Sequence, residues 1–330
     1  MTESIKVRLL KLLEENRDNY ISGAALAKEL QVSRNAIWKS VESLRSEGYD
    51  ISAITNKGYR LNKSGKTLSE AGIAGCLKTD GVFLVKVRKS VTSTNTILRE
   101  MGAKGAPEGL VLVAEEQTAG KGRQGRGFYS PSGHGVYFSV LLHPTARTAG
   151  DAALITSAAA VAAARAIEET SGVHVGIKWV NDLFMDGKKV CGILTEATFG
   201  MESGLVENVV LGIGINVTKP ENGFPETIKG IAAALAESTK VNDIERCRLI
   251  AATLDNFWEY YNNLAGRKFL EEYRARSIVL GRDIIILSGD EQKPAHAIAI
   301  DDDCRLVVRY ENGETEALNS GSIQLRECSV

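Results

Sequence analysis

Several residue patterns are missing from this chain, and each absence excludes a class of protein. The five cysteines are scattered without a C-x-x-C pair, so the sequence predicts neither a disulfide framework nor a zinc site. No run of about 18 apolar residues occurs, and the first residues lack the apolar core of a signal peptide. We therefore expect a cytoplasmic protein with no membrane partner.

Common catalytic signatures are missing as well. The four histidines do not cluster, and no Ser/His/Asp or Cys/His arrangement can be read, which argues against a nucleophilic side chain. No Gly-x-x-x-x-Gly-Lys-Ser/Thr sequence indicates a P-loop, and the signatures of a protein kinase are absent. Chemistry by positioning and charge, such as phosphoryl or nucleotidyl transfer, fits the sequence better.

Length and charge indicate more than one domain. The 330 residues are 44% hydrophobic, which is enough for two or three domains with their own cores. The net charge of −1 is unevenly distributed, because residues 1–66 hold 12 Lys+Arg against 8 Asp+Glu and the remainder holds 28 against 33. The basic front of the chain is a modest indication of an anionic polymer as partner.

The first 66 residues predict a winged helix-turn-helix. Apolar residues at helical spacing mark a first helix, and Ser22 and Ser33 are suitable N-caps for two more. Short strands at 51–55 and 59–61 would be joined by a turn at Asn56-Lys57-Gly58. We place this domain at 1–66, with a polar linker at 62–67.

A winged helix-turn-helix inserts the N-terminal residues of its third helix into the major groove. The candidate base readers on that helix are Ser33, Arg34, Asn35 and Lys39. Lys57 and Arg60 of the hairpin would meet phosphates, whereas Trp38 is expected in the core. A protein-interaction module of the same shape is the less favoured alternative.

The remainder predicts two further domains and an α+β class. Residues 67–275 predict a mixed, largely antiparallel sheet with helices. The predicted strands are 82–86, 110–114, 136–142, 183–199 (a hairpin through Asp186-Gly187) and 205–217, and the predicted helices are 95–101 and Asp151 to about 170. A helix is also expected from about Asp243 to Leu264. From Ile278 the chain alternates between turns at 289–290, 301–303 and 312–313, which predicts a small five-stranded β-barrel at 276–330.

A glycine-rich basic loop at 120–127 is the strongest functional signal. Its four glycines allow close approach of backbone N–H groups to an anion, and its three cations supply charge. Residues 120–125 read Gly-x-Gly-x-x-Gly, but the proline and glycines that follow prevent a helix, so we reject a dinucleotide site. A solvated basic turn is the alternative. The loop should be mobile when empty.

Three other segments could complete a site with this loop. Ser93-Thr94-Asn95 at a helix start could bind a neutral polar group, although helix capping would also explain them. Lys178 alternates with Val, Ile and Trp in a strand that extends to Trp179, which favours an anionic partner over a surface position. The glycines of 212–216 would let a flat ligand lie on a strand backbone, and 220–225 could fold over it.

These segments resemble the catalytic domain of biotin protein ligases. The family patterns Ser-Thr-Asn, Gln-x-x-Gly-x-Gly-Arg-x-Gly-Arg, Lys-Trp-x-Asn-Asp and Gly-x-Gly-Ile-Asn stand here in order at 93–95, 117–126, 178–182 and 212–216. The winged helix and the barrel-like tail match the bifunctional members, so the resemblance covers nearly the whole chain. Lys121 departs from the usual arginine, which loses a bidentate fork, and Val180 replaces the usual proline.

The resemblance implies a class II synthetase-like ligase fold, an SH3-like tail and a two-step reaction. Biotin and Mg-ATP (with Mg²⁺) would form biotinyl-5′-AMP and pyrophosphate, and a lysine of a carrier protein would then take the biotinyl group. The partners would be the biotin carboxyl carrier protein of biotin-dependent carboxylases and operator DNA with an inverted repeat. The adenylate would be the corepressor and would favour a homodimer.

The resemblance also assigns roles to residues. Arg123 and Lys178 would be catalytic. The implied biotin-binding residues are Ser93, Thr94, Asn95, Gln117, Gly120, Lys121, Gly122, Arg123, Lys178, Leu183, Gly212 and Gly214. The implied nucleotide-binding residues are Arg123, Arg126, Phe128, Lys178 and Asn216. No metal ligand is assigned, Asp182 being a guess.

Two alternatives remain open on the sequence. A transcription factor could sense a small anion without catalysis, and a lipoate ligase would share the catalytic fold. The Gly-Arg-x-Gly-Arg loop favours biotin over lipoate. Exchange of labelled pyrophosphate into ATP would separate an enzyme from a sensor.

Overall fold

The computed structural model describes residues 4–16, 19–46, 49–62, 68–144, 149–200, 205–238, 244–288 and 291–325. The N-terminal unit consists of α1 (Ile5–Glu15), α2 (Gly23–Leu30), α3 (Arg34–Ser46), β1 (Ile51–Ile54) and β2 (Gly58–Leu61). The predicted helix starts are confirmed, because the side chains of Ser22 and Ser33 accept hydrogen bonds from backbone N–H groups three residues on. This is a winged helix-turn-helix.

Two details of this unit differ from or extend the prediction. Trp38 is 52% exposed, so its expected place in the core is wrong. Ile37, Val41 and Leu44 cover the inner face of α3, and Trp38 falls beside that stripe rather than within it. The hairpin turn carries left-handed backbone at Asn56. The linker predicted at 62–67 lies outside the described residues from 63 onward.

The central unit is built on one large sheet. Its strands are β3 (Leu84–Val91), β4 (Leu110–Gln117), β5 (Gly135–Leu142), β6 (Gly176–Lys178), β7 (Asp182–Met185), β8 (Lys188–Phe199) and β9 (Val206–Asn216). They lie in the order β3-β4-β5-β9-β8-β7-β6. Only β3 and β4 run parallel, while the other neighbours are antiparallel. The predicted mixed, largely antiparallel sheet is confirmed.

The helices of this unit are α4 (Glu70–Cys76), α5 (Thr94–Ala103), α6 (Ala149–Ser171), α7 (Arg246–Tyr261) and α8 (Leu270–Ala275). Helix α6 already includes Ala149, so it begins earlier than the start predicted at Asp151. The alanines at 158–160 and 162–164 are fully buried, because small side chains let α6 pack closely against β8 and α7. This helix fills the core behind the sheet.

Strand β6 is shorter than the predicted strand, but its alternation survives. Val173, Val175, Ile177 and Trp179 are all buried, and Lys178 between them is only half-buried. The Trp179–Val180 peptide is cis. Period-two geometry therefore places Lys178 on the face opposite the core, as expected.

The C-terminal unit is a five-stranded antiparallel sheet, which confirms the predicted number of strands. Its strands are β10 (Asp283–Ser288), β11 (Glu291–Ile300), β12 (Leu306–Tyr310), β13 (Thr315–Leu318) and β14 (Ser322–Leu325). They lie in the order β13-β12-β11-β10-β14. The turn predicted at 289–290 lies outside the described residues.

Both terminal units pack against the central one. In the N-terminal contact, Lys11 of α1 pairs with Asp80 at 3.1 Å. In the C-terminal contact, Trp179 Nε1 donates to the carbonyl of Cys304 at 2.9 Å, and this bond is buried. No helix of the described chain is long and apolar enough to cross a bilayer.

One ion cluster fastens α6 to α8. Arg276, whose side chain is 11% exposed, donates two bonds to the Glu168 carboxylate, at 2.9 and 2.6 Å, and one to Glu272 at 2.8 Å. These hydrogen bonds hold the pKa of Glu168 below its ordinary value of 4.5. Such a carboxylate contributes stability above its ordinary pKa, and the contribution is lost as pH falls through the lowered pKa.

We expect Arg276→Ala to lower the free energy of unfolding by roughly 1.5–3 kcal/mol at neutral pH, because it removes charge-assisted bonds to two carboxylates. The matched control Lys229→Ala breaks an exposed ion pair with Glu226 and should cost less than about 0.5 kcal/mol. Urea unfolding at several pH values measures both. The difference in free energy of unfolding between wild type and Arg276→Ala should become smaller below about pH 4.5. A difference that became larger there would contradict this account.

Candidate active site

A cavity of about 960 Å³ lies over one face of the central sheet, at strands β6 to β9. The glycine loop covers it from one side, residues 224–232 from another, and residues 321–323 of the C-terminal unit complete the wall. The volume is at the upper end of the range of about 300–1,000 Å³ that is usual for ligand pockets. A ligand of several connected groups would fit.

One end of the cavity is a buried polar cluster at the start of α5. The backbone N–H and hydroxyl of Thr94 both bond to Gln117 Oε1, at 2.9 and 3.1 Å, and Gln117 Nε2 donates to Ser130 at 3.0 Å. Ser139 Oγ lies 2.7 Å from Thr94 Oγ1. Ser93 occupies the N-cap position but makes no capping bond with its side chain. Capping therefore does not explain Ser93, which lines the cavity.

Asn95 is held by the protein itself. Its Nδ2 donates to Glu196 at 2.8 Å, and its Oδ1 lies 2.6 Å from Ser139 Oγ. A Cβ on Gly212 would stand 2.0 Å from Asn95 Oδ1. The first glycine of the 212–216 segment thus makes room for Asn95, and the ordered amide forms part of the floor of the polar end.

The glycine loop folds back on itself as a small hairpin. Phe128 N donates to the carbonyl of Gly120 at 2.8 Å, and Gly122 N donates to that of Arg126 at 2.7 Å. At its tip Gln124 and Gly125 have left-handed backbone, with φ of 54° and 73°. Ser322 of the C-terminal unit donates to Gln124 Oε1 at 3.0 Å. The loop is therefore supported from outside the central unit.

Phe128 lies in a gap between two glycines. A Cβ would stand 2.4 Å from its ring at Gly214 and 3.1 Å from it at Gly192. The ring also meets Tyr137 edge to face, with centroids 6.3 Å apart. The second glycine of the 212–216 segment accordingly admits an aromatic ring from the glycine loop.

The middle of the cavity is strongly basic. Five cations line it, Lys121, Arg123, Arg126, Lys178 and Lys189, and Asp182 is the one carboxylate among the described lining residues. Arg123 donates to Asn181 Oδ1 at 3.2 Å, and Lys189 Nζ lies 2.6 Å from Asp182 Oδ1. Lys178 Nζ lies 5.3 Å from the centroid of the Phe184 ring. The wall is charged to attract an anion.

Burial perturbs two of these cations. Desolvation lowers the pKa of Lys178, opposed by Asp182 and reinforced by nearby Lys189 and Arg126. Desolvation also lowers the pKa of Arg123, again opposed by Asp182. A charge that burial disfavours gains most when a ligand brings the opposite charge. The cavity is therefore organised for an anionic ligand.

The far wall is anchored by Asn216, which is buried and donates to the carbonyl of Ala233 at 3.0 Å. Lys189 holds the same segment through its backbone, donating to the carbonyl of Ile231 and accepting from the N–H of Ala233. Phe224 is buried, whereas Ile231 is 61% exposed beside the cavity. Phe224 belongs to the segment 220–225 that was predicted to cover a ligand, and the cavity lining continues beyond it to Ala232.

The structure brings nearly all the predicted ligand residues together. Those that line the cavity are Ser93, Thr94, Asn95, Gln117, Gly120, Lys121, Gly122, Arg123, Arg126, Phe128, Lys178, Gly212, Gly214 and Asn216. Leu183 does not, because it is fully buried in the core between Ile177 and Cys191. Asp182 and Phe184, its neighbours in β7, face the cavity instead.

Sequence reasoning missed several residues that build the site. Ser139 and Glu196 position the polar cluster from β5 and β8, far from it in sequence. Lys189 and Gly192 were also missed. The sequence spacing between Lys178 and Lys189 does not indicate that both line one cavity. The face that a strand residue occupies depends on how its strand pairs with other strands.

The predicted DNA-binding residues are mostly available on the surface of the N-terminal unit. Ser33, Arg34, Asn35, Lys39 and Lys57 are exposed. Arg60 is half-buried, with its guanidinium carbon 4.7 Å from the centroid of the Tyr20 ring. This contact fixes Arg60 in the wing.

A metal ion would find few ligands here. The described residues contain no group of three or more His, Cys, Asp or Glu side chains that could hold one. Asp182 alone offers a carboxylate to the cavity. One carboxylate suits a Mg²⁺ ion that arrives already bound to phosphates better than a resident metal.

Comparison with known proteins covers all three units. The family described as Biotin/lipoate A/B protein ligase matches residues 87–216, an HTH domain matches 7–60, and a Biotin protein ligase C terminal domain matches 279–326. The bifunctional ligase/repressor BirA of Bacillus subtilis is 38% identical over 265 residues, or 80% of each chain. That of Bacillus spizizenii is 35% identical over 98% of this chain and 100% of the relative.

A solved structure is similar as well. The biotin protein ligase of Aquifex aeolicus, in complex with biotin and ATP, superposes with a TM-score of 0.62 at 27% identity. The match covers 73% of this chain and 98% of that one.

The contact between Gly212 and Asn95 generates a test. We expect Gly212→Ala to lower the free energy of unfolding by roughly 1–3 kcal/mol, because its Cβ would overlap the Asn95 amide and displace a buried network. Gly230→Ala is the control, since a Cβ there meets nothing within 4 Å. Chemical denaturation of both variants measures the difference, and equal, small losses would show that Asn95 moves aside freely.

Proposed function

This chain belongs to the biotin protein ligase family, among its bifunctional ligase/repressors, and from that premise we propose how its residues divide the work. The protein activates biotin with ATP to give biotinyl-5′-AMP, transfers biotin to a carrier lysine, and represses transcription through its DNA-binding domain. The residue roles, the boundaries at 66/67 and 275/276 and the assembly state are our proposals.

The polar cluster at α5 binds the ureido ring of biotin. A ureido group offers two N–H donors and one carbonyl acceptor, so it needs fixed partners of both kinds. Thr94 and Gln117 supply hydroxyl and amide groups that are already oriented by hydrogen bonds, and Ser93 adds a hydroxyl to the cavity lining. Lipoate has a dithiolane ring without such groups, so it could not use the hydroxyl and amide groups of this cluster as hydrogen-bond partners. Biotin is the better ligand.

The cations of the cavity act in the first half-reaction. The biotin carboxylate attacks the α-phosphorus of ATP, the bond to the bridging oxygen breaks, and pyrophosphate leaves with that oxygen. Negative charge gathers near Arg123 and Lys178, which hold the carboxylate and the α-phosphate together. Mg²⁺ enters with ATP and offsets charge on the phosphates, and Asp182 is the carboxylate that can face it.

The remaining predicted residues hold the adenylate until transfer. Arg126 adds charge beside the phosphates, while Phe128 and Asn216 bind the nucleoside part. Gly120 and Lys121 place backbone N–H groups near the ligand, while Gly122, whose N–H donates to Arg126, lines the cavity with bare backbone. In the second half-reaction the carrier's lysine amine attacks the biotinyl carbonyl, AMP leaves, and the lysine loses its proton. No side-chain nucleophile is required.

The observation that carries this assignment is the buried polar cluster that opens directly onto a wall of five cations and one carboxylate. A ligand with a neutral polar group at one end and an anionic group at the other matches this arrangement of the cavity. The direct test is biotin-dependent exchange of labelled pyrophosphate into ATP. Its absence in the wild-type protein would remove the ligase assignment and leave a ligand-sensing repressor.

We expect Lys178→Ala to reduce this exchange by about 100-fold or more, because the cation acts where charge develops. Lys104→Ala, at an exposed lysine that ends α5, is the control and should exchange normally. Thermal unfolding should find both variants folded. Near-normal exchange in Lys178→Ala would refute the role of this lysine.

The N-terminal domain binds operator DNA as part of a dimer. A single winged helix contacts too few base pairs to select one site in a genome, so we propose a two-fold dimer on an inverted repeat. The adenylate orders residues 120–128 and 217–225 and thereby favours the dimer, typically by about 1–3 kcal/mol. Sedimentation with and without biotinyl-5′-AMP tests this step, and an unchanged dimerisation constant would remove it.

Two variants separate base reading from phosphate contact. Arg34→Ala, at the start of α3, should relax base preference at one position of each half-site. Lys57→Ala, at the wing tip, should weaken binding to all DNA sequences alike. It should also reduce the dependence of the binding constant on salt concentration by about one released ion. Binding to randomised operators across salt concentrations measures both. Identical behaviour of the two variants would contradict the docking mode.

A further inference from the structure

Lys178 stands at the base of a short turn whose shape decides where its ammonium group points. The lysine turn, residues 178–182, joins β6 to β7, and Lys178 pairs with Asp182 across it. These two residues and Asn181 line the cavity, whereas Val180 is buried and does not line it. The residues between the paired ends lie outside the strands, so contacts with other elements set the shape of the turn.

Tyr273 of α8 supports the middle of the lysine turn. Its side chain is fully buried, does not line the cavity, and donates from its hydroxyl to the carbonyl of Val180 at 2.9 Å. Burial raises the pKa of Tyr273, so the hydroxyl keeps its proton at neutral pH and remains a donor. Loss of this donor would leave the buried carbonyl without the partner that fixes it.

The chain around the end of α8 also holds the strand that precedes the turn. The N–H of Ile177 donates to the carbonyl of Arg276 at 2.8 Å, and the N–H of Ile278 donates to the carbonyl of Ile177 at 2.9 Å. The ion pair between Arg276 and α6 fixes this segment to the core. Lys178 is therefore preceded and followed by backbone that is bonded to one segment, residues 273–278.

The far side of the lysine turn carries a second cation of the proposed reaction. Asn181 is bonded to β8, because its Nδ2 donates to the carbonyl of Ile193 at 2.7 Å and its own carbonyl accepts from the N–H of Ile193 at 3.0 Å. Its Oδ1 accepts a hydrogen bond from Arg123 at 3.2 Å. The distance between Arg123 and Lys178 thus depends on the part of the turn that Tyr273 supports.

Lys178 would not keep its position without this support. Desolvation lowers the pKa of Lys178, and nearby Lys189 and Arg126 add to the lowering, while Asp182 opposes it. A lysine side chain is flexible, so on a loose turn its ammonium group would move toward water. Fixed backbone on both sides of Lys178 limits that movement and keeps the charge in the cavity.

We propose that Tyr273 is a positioning residue of the ligase reaction, which fixes Lys178 relative to Arg123 through its bond to the carbonyl of Val180. The proposal rests on the function proposed above and deepens it. Tyr273 contacts neither substrate, but it limits the movement of the two cations that bring the biotin carboxylate and the α-phosphate together. The ureido ring binds at α5 and β4, which Tyr273 does not support.

Tyr273→Phe tests this role, because it removes the hydroxyl and keeps the ring. We expect kcat for biotin-dependent pyrophosphate exchange to fall by about 10- to 100-fold, since a small displacement of a charged group at the reacting atoms is costly. The KM for biotin should change by less than about twofold, the pattern of an interaction that matters mainly in the transition state. Rates are divided by the concentration of sites that bind labelled biotin, so a partly folded variant still yields a kcat.

A double-mutant cycle separates positioning from a general loosening of the fold. In a Lys178→Ala background, Tyr273→Phe should cause a clearly smaller loss than it causes alone, because the lysine that it misplaces is already gone. Tyr260→Phe is the matched control. Tyr260 is buried in α7, does not line the cavity, and its hydroxyl has no hydrogen-bond partner in the described part of the chain. This variant should exchange within about twofold of the wild type.

Three results would overturn the proposal. The first is a normal kcat in Tyr273→Phe, and the second is a loss that multiplies fully with the loss in Lys178→Ala. The third is a KM for biotin that rises as much as kcat falls, which would indicate a loosened site rather than misplaced cations. Absence of exchange in the wild type would instead remove the proposed function itself.

Discussion

The cavity of this protein depends on one constraint: its cations are partly removed from water, and few negative charges balance them. Arg123 and Lys178 are partly buried, and desolvation lowers the pKa of both. Asp182 is the one described carboxylate in the wall, and it opposes this lowering. Burial disfavours the charged forms of these two side chains, and a phosphate in contact with them offsets that cost.

The three units of the chain all support that cavity. The central sheet supplies bare backbone at three glycines, which admits Asn95 and Phe128 close to its surface. The C-terminal unit holds the Lys-Trp motif through the bond from Trp179 to Cys304, and touches the glycine loop through Ser322. Domain packing thus fixes the position of catalytic segments, and a ligand that orders those segments can bias contacts elsewhere.

Local patterns predicted much of this structure because their causes are local. Serine caps, the alternation around Lys178 and the turns at glycine are set by neighbouring residues. The motifs of the glycine loop and the 212–216 segment are also set by neighbouring residues, and they predicted where the site lies. Leu183, predicted to bind biotin, is buried and does not line the cavity, because its period-two position beside Asp182 puts it on the core face.

The features that escaped prediction depend on distant parts of the chain. Trp38 is exposed because it falls beside the buried stripe of α3, although its size and apolar character had suggested a place in the core. A bulge in β8 turns Lys189 toward the cavity, and it exists only in the pairing of β7 with β8. Ser139 joins the polar cluster through sheet order, a property of topology rather than of spacing.

Proton uptake on ligand binding tests the central claim most directly. Calorimetry of biotinyl-5′-AMP binding at about pH 9.5, in two buffers of different ionisation enthalpy, counts the protons taken up. The phosphate should raise the pKa of Lys178 from its lowered value toward its ordinary 10.5, so the wild type should take up a fraction of a proton and Lys178→Met should take up less. If the heat of biotinyl-5′-AMP binding to the wild type is the same in both buffers, no proton is taken up. That result would contradict the claim that the ligand's phosphate restores the charge of a desolvated Lys178.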